Sequence, residues 1–306
     1  MFGDEEPAPV VQGQGTGASN DLLAEDAVDK EGYYHVQQGE VINNRYKVVA
    51  DIGRGVFSCV LACLDQNRDN RNVAIKVIKN NHIMNKAAEK EIAILTRIRG
   101  DDPTGKKHSI QMVESFEHKG HSCMVFDRFD MDLRQVLKTF GRKVGININP
   151  VRVYGAQLLT SLCQLRKLRI VHADIKPDNV LVTEDKRKVV LADFGSASDA
   201  EDCEITPYLV SRYYRAPEVS LGHPYGCEID VWAVGCTLYE MYTGSFLFEG
   251  ESNNHMLRAI QELRGAFSHK MIRRSTLKTQ AGFDDDFTFC EHAQQSPPQL
   301  ESQGWF

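Results

Sequence analysis

Long hydrophobic runs are missing from this 306-residue chain. None approaches the roughly 18 apolar residues that a membrane-spanning helix needs, so no such helix is expected in it. The opening stretch "MFGDEEPAPV" has neither the positive start nor the apolar core of a secretory leader, so no secretion is expected. Eight cysteines occur, but none forms a CxxC pair or sits in a close Cys/His cluster. That argues against zinc and predicts reduced thiols, as in a cytosolic or nuclear protein. Internal repeats are absent too. What remains, 42% hydrophobic and 25% charged residues, is the balance of a globular domain.

Charge is scarce in one sign at both ends. Residues 1–31 carry eight acidic side chains against Lys30 alone, and residues 281–306 carry five acidic side chains and no Lys or Arg. The net charge of −6 therefore leaves the body, 32–280, at +6. Two acidic ends flank a mildly basic body, which suits phosphate handling but is weak evidence by itself.

Residues 1–31 are rich in Gly, Ala, Asp and Glu and lack periodicity, which predicts a disordered lead-in. From Tyr46 the pattern changes. "YKVVADIG", "VFSCVLACLD" and "NVAIKVIKN" read as three strands, the first two joined by a Gly-containing turn, and "SCMVFDRF" as a further strand. "KAAEKEIAILTRIRG" has helical spacing at Ile92, Leu95 and Ile98, with Gly100 as its stop. A long helix is expected over "NPVRVYGAQLLTSLCQLRKLR", capped by Asn149, with Tyr154, Leu158, Leu162 and Leu165 as its buried stripe. Short strands at "NVLVT" and "VVLADF" precede a polar loop to about Tyr214. Helices follow at "GCEIDVWAVGCTLYEMYTG" and "NNHMLRAIQELRG", and residues 290–306 read as a loose tail. Strands first and helices afterwards predict an α+β protein with two lobes.

Four features carry chemistry. The turn "IGRGVFSCV" is G-x-G-x-x-S. Gly53 and Gly55 would let backbone approach phosphates, although an ordinary hairpin explains the turn about as well. Lys76, inside a strand, could grip non-transferred phosphates, and Glu91 on the following helix could hold it; alone, such a Lys is usually a solvated face. "HADIKPDN" places Asp174 and Asn179 five residues apart, and Asp193-Phe194-Gly195 follows. One carboxylate and one amide oxygen, together with phosphates, suffice for Mg²⁺. Asp174 is then free to accept a hydroxyl proton, with Lys176 steadying the transferred group. With "APE" beyond, at Ala216–Glu218, this order leaves chance resemblance well below about 1%.

From residue 46 to about 289 the chain resembles the eukaryotic protein kinases. The loop "TPYLVSRYYRAPE" is similar to the group holding cyclin-dependent, MAP, dual-specificity tyrosine-regulated and Cdc-like kinases. "HADIKPDN" and "SNNHMLRAIQELRG" add a resemblance to the pre-mRNA-processing splicing kinase subfamily. The resemblance implies a kinase domain over 32–289, with an N-lobe at about 46–126, a hinge at 127–130 and a C-lobe at 131–289. It implies Ser/Thr phosphorylation from Mg-ATP by a nuclear monomer, acting on spliceosomal and Ser/Arg-rich proteins without binding nucleic acid or membrane. Cytoplasmic action stays open, because "KRK" at Lys186–Lys188 is too short for an import signal and fits a solvated turn.

Residue by residue, the resemblance makes Ile52, Gly53, Arg54, Gly55, Val56, Phe57, Ser58, Cys59 and Val60 a nucleotide-covering turn. Lys76 and Glu91 become an ion pair, and Asp127 and Phe129 offer backbone to adenine, with Phe126 behind. Asp174, Lys176 and Asn179 become catalytic, Asn179 and Asp193 hold metal, and Tyr208 is the activation-loop phosphorylation site. Ala173 departs from the family, whose Arg at that position pairs with a phosphorylated loop residue. Either the loop is ordered without that bond, or phosphorylated Tyr208 pairs with Arg212 or Arg215 instead.

Other residues read as structure. His172 braces the catalytic turn, Asp230 bonds the loop backbone, Trp232 and Tyr239 are core, and Cys203 is a plain loop cysteine. The family's large lobe runs further than the 88 residues after Glu218, and no Arg after Arg274 is present to pair that carboxylate. A truncated lobe and an impaired, nucleotide-binding scaffold are therefore the alternative expectation.

Overall fold

The computed structural model describes residues 32–203, 209–278, 281–286, 288 and 289. The lead-in 1–31, the tail 290–306 and Tyr208 lie outside them. The described residues form two compact units, one of 32–86 with 114–125 and one of 87–113 with 126–289. Mixed strands and helices, with the strands concentrated in the first unit, realise the α+β expectation.

The small unit is built on a six-stranded sheet in the order β1-β2-β3-β4-β6-β5. Its strands are β1 (Val41–Ile42), β2 (Tyr46–Arg54), β3 (Ser58–Asp65), β4 (Arg71–Ile78), β5 (Met112–His118) and β6 (His121–Asp127). Alternation sets the faces: Val73, Ile75 and Val77 of β4 are buried, while Lys76 points to the other side. Lys76 lies opposite Val60, and Arg54 opposite Cys59. Arg45 ties the sheet together, donating to both oxygens of buried Asp65 at 2.7 Å and to Glu114 at 3.1 Å. That bidentate pair holds the Asp65 carboxyl below its ordinary range. Strand β5 has no counterpart in the sequence reading, because its burial alternates only weakly.

Helix α1 (His82–Asp101), whose residues from 87 on belong to the large unit, begins four residues before the expected start. Asn81 accepts from the Met84 amide at 2.8 Å and caps it there. Gly100 lies inside the helix and does not stop it, and Ile94, not Ile92, completes the buried stripe. A short helix α2 (Leu133–Val136), closed by a capping box at Asp132, runs into a wider turn at Leu137–Gly141. Helix α3 (Ile148–Lys167) buries the expected Tyr154, Leu158, Leu162 and Leu165. Its cap is Asn147, which accepts from the Asn149 amide at 2.9 Å, so Asn149 is already helical. Two small sheets carry the loops: β7 (Met131–Asp132), β9 (Val180–Val182) and β10 (Val189–Leu191) in one, and β8 (Ile170–Val171) with β11 (Ser198–Asp199) in the other.

Helices α4 (Pro217–Ser220), α5 (Glu228–Thr243), α6 (Asn253–Arg264) and α7 (His269–Arg274) complete the unit. Leu221, Leu257, Ile272, Ala281 and Phe283 form one core cluster there. Tyr239 is not core: it is 41% exposed on α5, beside exposed Val231 and Tyr242. Helix α5 is mostly apolar, and these three residues leave one of its faces partly exposed. No helix of the described residues is long and apolar enough to cross a membrane.

Candidate active site

Each unit presents part of the expected site. In the small unit, the turn between β2 and β3 is closed by Gly55 donating to the Ser58 carbonyl at 2.8 Å. Neither Gly53 nor Gly55 is demanded by the fold. Neither has a positive φ, and an added Cβ would meet only Val60 at 4.0 Å or the Ser58 carbonyl at 3.8 Å, ordinary contacts. Bare backbone at these positions therefore suits something that approaches from outside the chain. Val56 and Phe57 are exposed at the tip, while Ser58 and Cys59 are buried. A separate cavity of about 430 Å³ lies along the outer part of β2; of the expected nucleotide-contacting residues, only Arg54 lines it.

In the large unit, the Asp174 carboxylate is surrounded by donors. Lys176 Nζ and Asn179 Nδ2 reach its Oδ2 at 2.7 and 2.9 Å, and Ser211 Oγ donates to its Oδ1 at 2.8 Å. Lys176 also donates to Ser211 at 3.0 Å, so the three side chains close a ring around the carboxylate. Asn179 Nδ2 bonds the Asp174 carbonyl as well, at 2.7 Å. Its Oδ1 is left without a protein donor among the described residues.

Two positions in this loop are strained. Ala173 sits at φ 63 and Asp193 at φ 60, the left-handed region that non-glycine residues avoid. Asp230 supplies the compensation. Its carboxylate accepts from the His172 amide at 2.8 Å and the Ala173 amide at 3.0 Å, as expected. Burial pushes the Asp230 carboxyl upward, and those two amides pull it back. His172 is wholly buried. It accepts from the Asp174 amide, donates through Nε2 to the Ala192 carbonyl at 3.0 Å, and meets the Phe194 ring edge-on at 4.8 Å. The Ala192 amide in turn donates to the Asn179 carbonyl at 2.9 Å, so the segment carrying Asp193 is tied to the one carrying Asn179.

Ser211 and Arg134 had no signal in the sequence reading. Arg134, on α2, bonds buried Glu240, the Tyr214 hydroxyl at 2.7 Å and the Asp178 carboxylate at 3.2 Å. One guanidinium thus ties the residue beside Asn179 to the segment that follows Ser211. Only the fold brings these positions together. Arg215 is engaged with the carbonyls of Leu209 and Val210, at 2.8 Å each, and with Asn253. Arg212 lies exposed and donates to the Glu251 carbonyl. Cys203 contacts Ser198 and the Asp199 carbonyl at 3.6 Å, as a plain loop residue. The thiols of Cys63, Cys123 and Cys236 are pushed up to about 12 by burial, which makes them inert.

The remaining expected residues lie on the elements around these two segments. Glu91 is 5% exposed on α1, Asp127 ends β6, and Phe129 follows it, half-buried. A family model described as the protein kinase domain matches residues 46–292. The chain belongs to the protein kinase family. A serine/threonine-protein kinase named prp4 from Schizosaccharomyces pombe is 48% identical over 298 residues, 95% of this chain and 62% of that protein. The serine/threonine-protein kinase prpf4B of Dictyostelium discoideum is 46% identical over 83% of this chain and 31% of its own length. The DYRK-family kinase pom1 of S. pombe is 37% identical over 82% and 23%. This kinase chain therefore spans about three fifths of the first relative and under a third of the others. The subfamily resemblance read from "HADIKPDN" and its companions is borne out.

Proposed function

We propose that the chain transfers the γ-phosphoryl group of Mg-ATP to Ser/Thr hydroxyls of proteins. The observation that carries this reading is the Asp174 carboxylate held by Lys176, Asn179 and Ser211, with Asn179 tied through Ala192 to the segment bearing Asp193. Asp174 would orient the acceptor hydroxyl and take its proton, and Lys176 would offset charge on the group in transit. Among the described residues no cluster of three or more His, Cys, Asp or Glu could hold a metal ion unaided. The exposed Asp193 carboxylate and the Asn179 Oδ1 fit Mg²⁺ that arrives with phosphates, since this ion keeps most of its other ligands as water or phosphate. Bound there, it would neutralise phosphate charge.

The rest of the nucleotide site belongs to the same proposal: the turn Ile52–Val60 over the phosphates, Lys76 paired with Glu91, and the backbone of Asp127 and Phe129 at adenine. The resemblance to the splicing kinase subfamily extends the proposal to nuclear substrates of the splicing machinery, and the likeness to prp4 and prpf4B supports a serine/threonine kinase. Autophosphorylation at Tyr208 is part of this reading, with exposed Arg212 as the cation that replaces the Arg absent at Ala173.

One observation favours a second reading, a nucleotide-binding scaffold that does not turn over. Glu218, half-buried, has no cation partner among the described residues, and burial pushes its carboxyl upward. Radiolabelled transfer from Mg-ATP, by this chain and by Asp193→Ala, separates the two. Label on a Ser/Arg-rich peptide from the parent alone supports the kinase. Silence from both, in protein that melts cooperatively and is shifted by Mg-ATP, supports the scaffold.

A further inference from the structure

The nucleotide-covering turn is held from behind by a residue outside the segment that the family model matches, which starts at 46. The hydroxyl of Tyr33 donates to the Gly55 carbonyl at 2.7 Å and lies 3.2 Å from the Val56 carbonyl. Its ring is flanked by two cations of the same unit: Lys79 Nζ lies 3.8 Å from the centroid and the Arg54 guanidinium 4.7 Å. Tyr33 itself is only 6% exposed. Anchors on either side fix its place. The Asn80 amide donates to the Gly32 carbonyl at 3.1 Å, and the Tyr34 hydroxyl donates to Glu40 at 2.7 Å with His118 at 3.2 Å. The strap closes onto β2 through Gly39 donating to the Val48 carbonyl and Val48 donating to the Glu40 carbonyl.

The consequence follows from peptide geometry. A trans peptide points its C=O and the next N–H in opposite directions. Turning the Gly55 and Val56 carbonyls toward Tyr33 therefore turns the Val56 and Phe57 amides away from it. Neither amide donates to a protein acceptor among the described residues. Two consecutive outward amides make an anion-binding concavity.

We propose that Tyr33 is a positioning residue that presents the Val56 and Phe57 amides to the phosphates of the bound nucleotide. The inference rests on the kinase reading given above. It differs from that reading in assigning phosphate affinity partly to a side chain that touches neither phosphate nor metal.

Tyr33→Phe tests it, because the ring and its two cations stay while the hydrogen bond goes. Affinity for Mg-ATP and Mg-ADP, measured by titration calorimetry, is expected to weaken about fivefold, the scale of one lost net hydrogen bond. Affinity for adenosine, which has no phosphate, should match the parent, and the melting temperature should fall only by the few degrees that one lost hydrogen bond costs. A variant that binds Mg-ATP as tightly as the parent, or loses adenosine in equal proportion, overturns the assignment while leaving the kinase reading intact. A folded parent with no affinity for Mg-ATP overturns both.

Discussion

Ser211 donates a 2.8 Å hydrogen bond to the carboxylate of Asp174 across 37 residues of sequence. Lys176 bonds both and Asn179 bonds the carboxylate, so the proposed base is held by two residues of its own loop and one of the segment before "APE". Any displacement of that segment would release one oxygen of the carboxylate. Ser211→Ala should therefore lower kcat for phosphate transfer by about tenfold, the scale of a hydrogen bond to a charged group. KM for ATP should change little, and Ser211→Thr should restore the rate. An Ala variant with parental kcat would show that the bond does not orient Asp174.

Gly55 gives a prediction of opposite signs for stability and binding. The fold leaves room for a Cβ there, so Gly55→Ala should leave the melting temperature unchanged or slightly raised. The same methyl group obstructs approach to the backbone, so Mg-ATP affinity should fall. Equal losses in both measurements would mean that the turn needs its glycine for folding.

Ala173 sits at φ 63 in a wholly buried turn. Glycine takes that conformation without penalty, so Ala173→Gly should raise stability by up to about 1 kcal/mol in denaturant melts. Ala173→Val should be strongly destabilising, since a β-branched residue is least able to adopt it. A neutral valine variant would mean that the turn relaxes readily.

Arg134 neutralises Glu240, which is 3% exposed. Arg134→Ala leaves that carboxylate buried and unpaired, a loss of about 3–5 kcal/mol. Urea melts read it directly. A double variant Arg134→Met with Glu240→Leu should recover much of the loss, because it removes the stranded charge. Recovery of none would place the loss in packing against Phe246, over which the guanidinium also lies.

Glu218 predicts a pH dependence. Burial raises its carboxyl above the ordinary 4.5, against the opposing pull of a backbone hydrogen bond and of His223. The folded state then binds a proton more tightly than the unfolded state. Its contribution to stability is most favourable below about 4.5 and is lost as pH rises through the raised folded value. Glu218→Gln should therefore melt at a higher temperature than the parent above that window, with the difference vanishing below it. Identical curves at neutral pH would show that a cation reaches the carboxylate.

Much of the fold was legible because burial imposes a period. Val73, Ile75 and Val77 alternate, and Tyr154, Leu158, Leu162 and Leu165 recur at helical spacing, whatever lies around them. Helix ends were less legible. Asn81 and Asn147 are the caps, ahead of the starts expected at Lys86 and Asn149, because several polar residues can cap and local geometry selects one. Tyr239 reads as core on a mostly apolar helix, but burial depends on what packs against each face.

Chemistry confined to one short stretch was also open to reading. Asp174, Lys176, Asn179 and Asp193 lie within twenty residues, and their spacing reflects a local turn whose backbone brings them together. Ser211, Arg134 and Tyr33 carry no such pattern. A serine, an arginine on a short helix and a tyrosine ahead of the first long strand are common residues in unremarkable contexts. Their roles depend on distances of 2.7–2.8 Å to partners 22 to 80 residues away, which only the folded backbone establishes. Local periodicity and turn chemistry act through neighbours along the chain, whereas the ring around Asp174 and the strap behind Gly55 exist only once distant segments have packed.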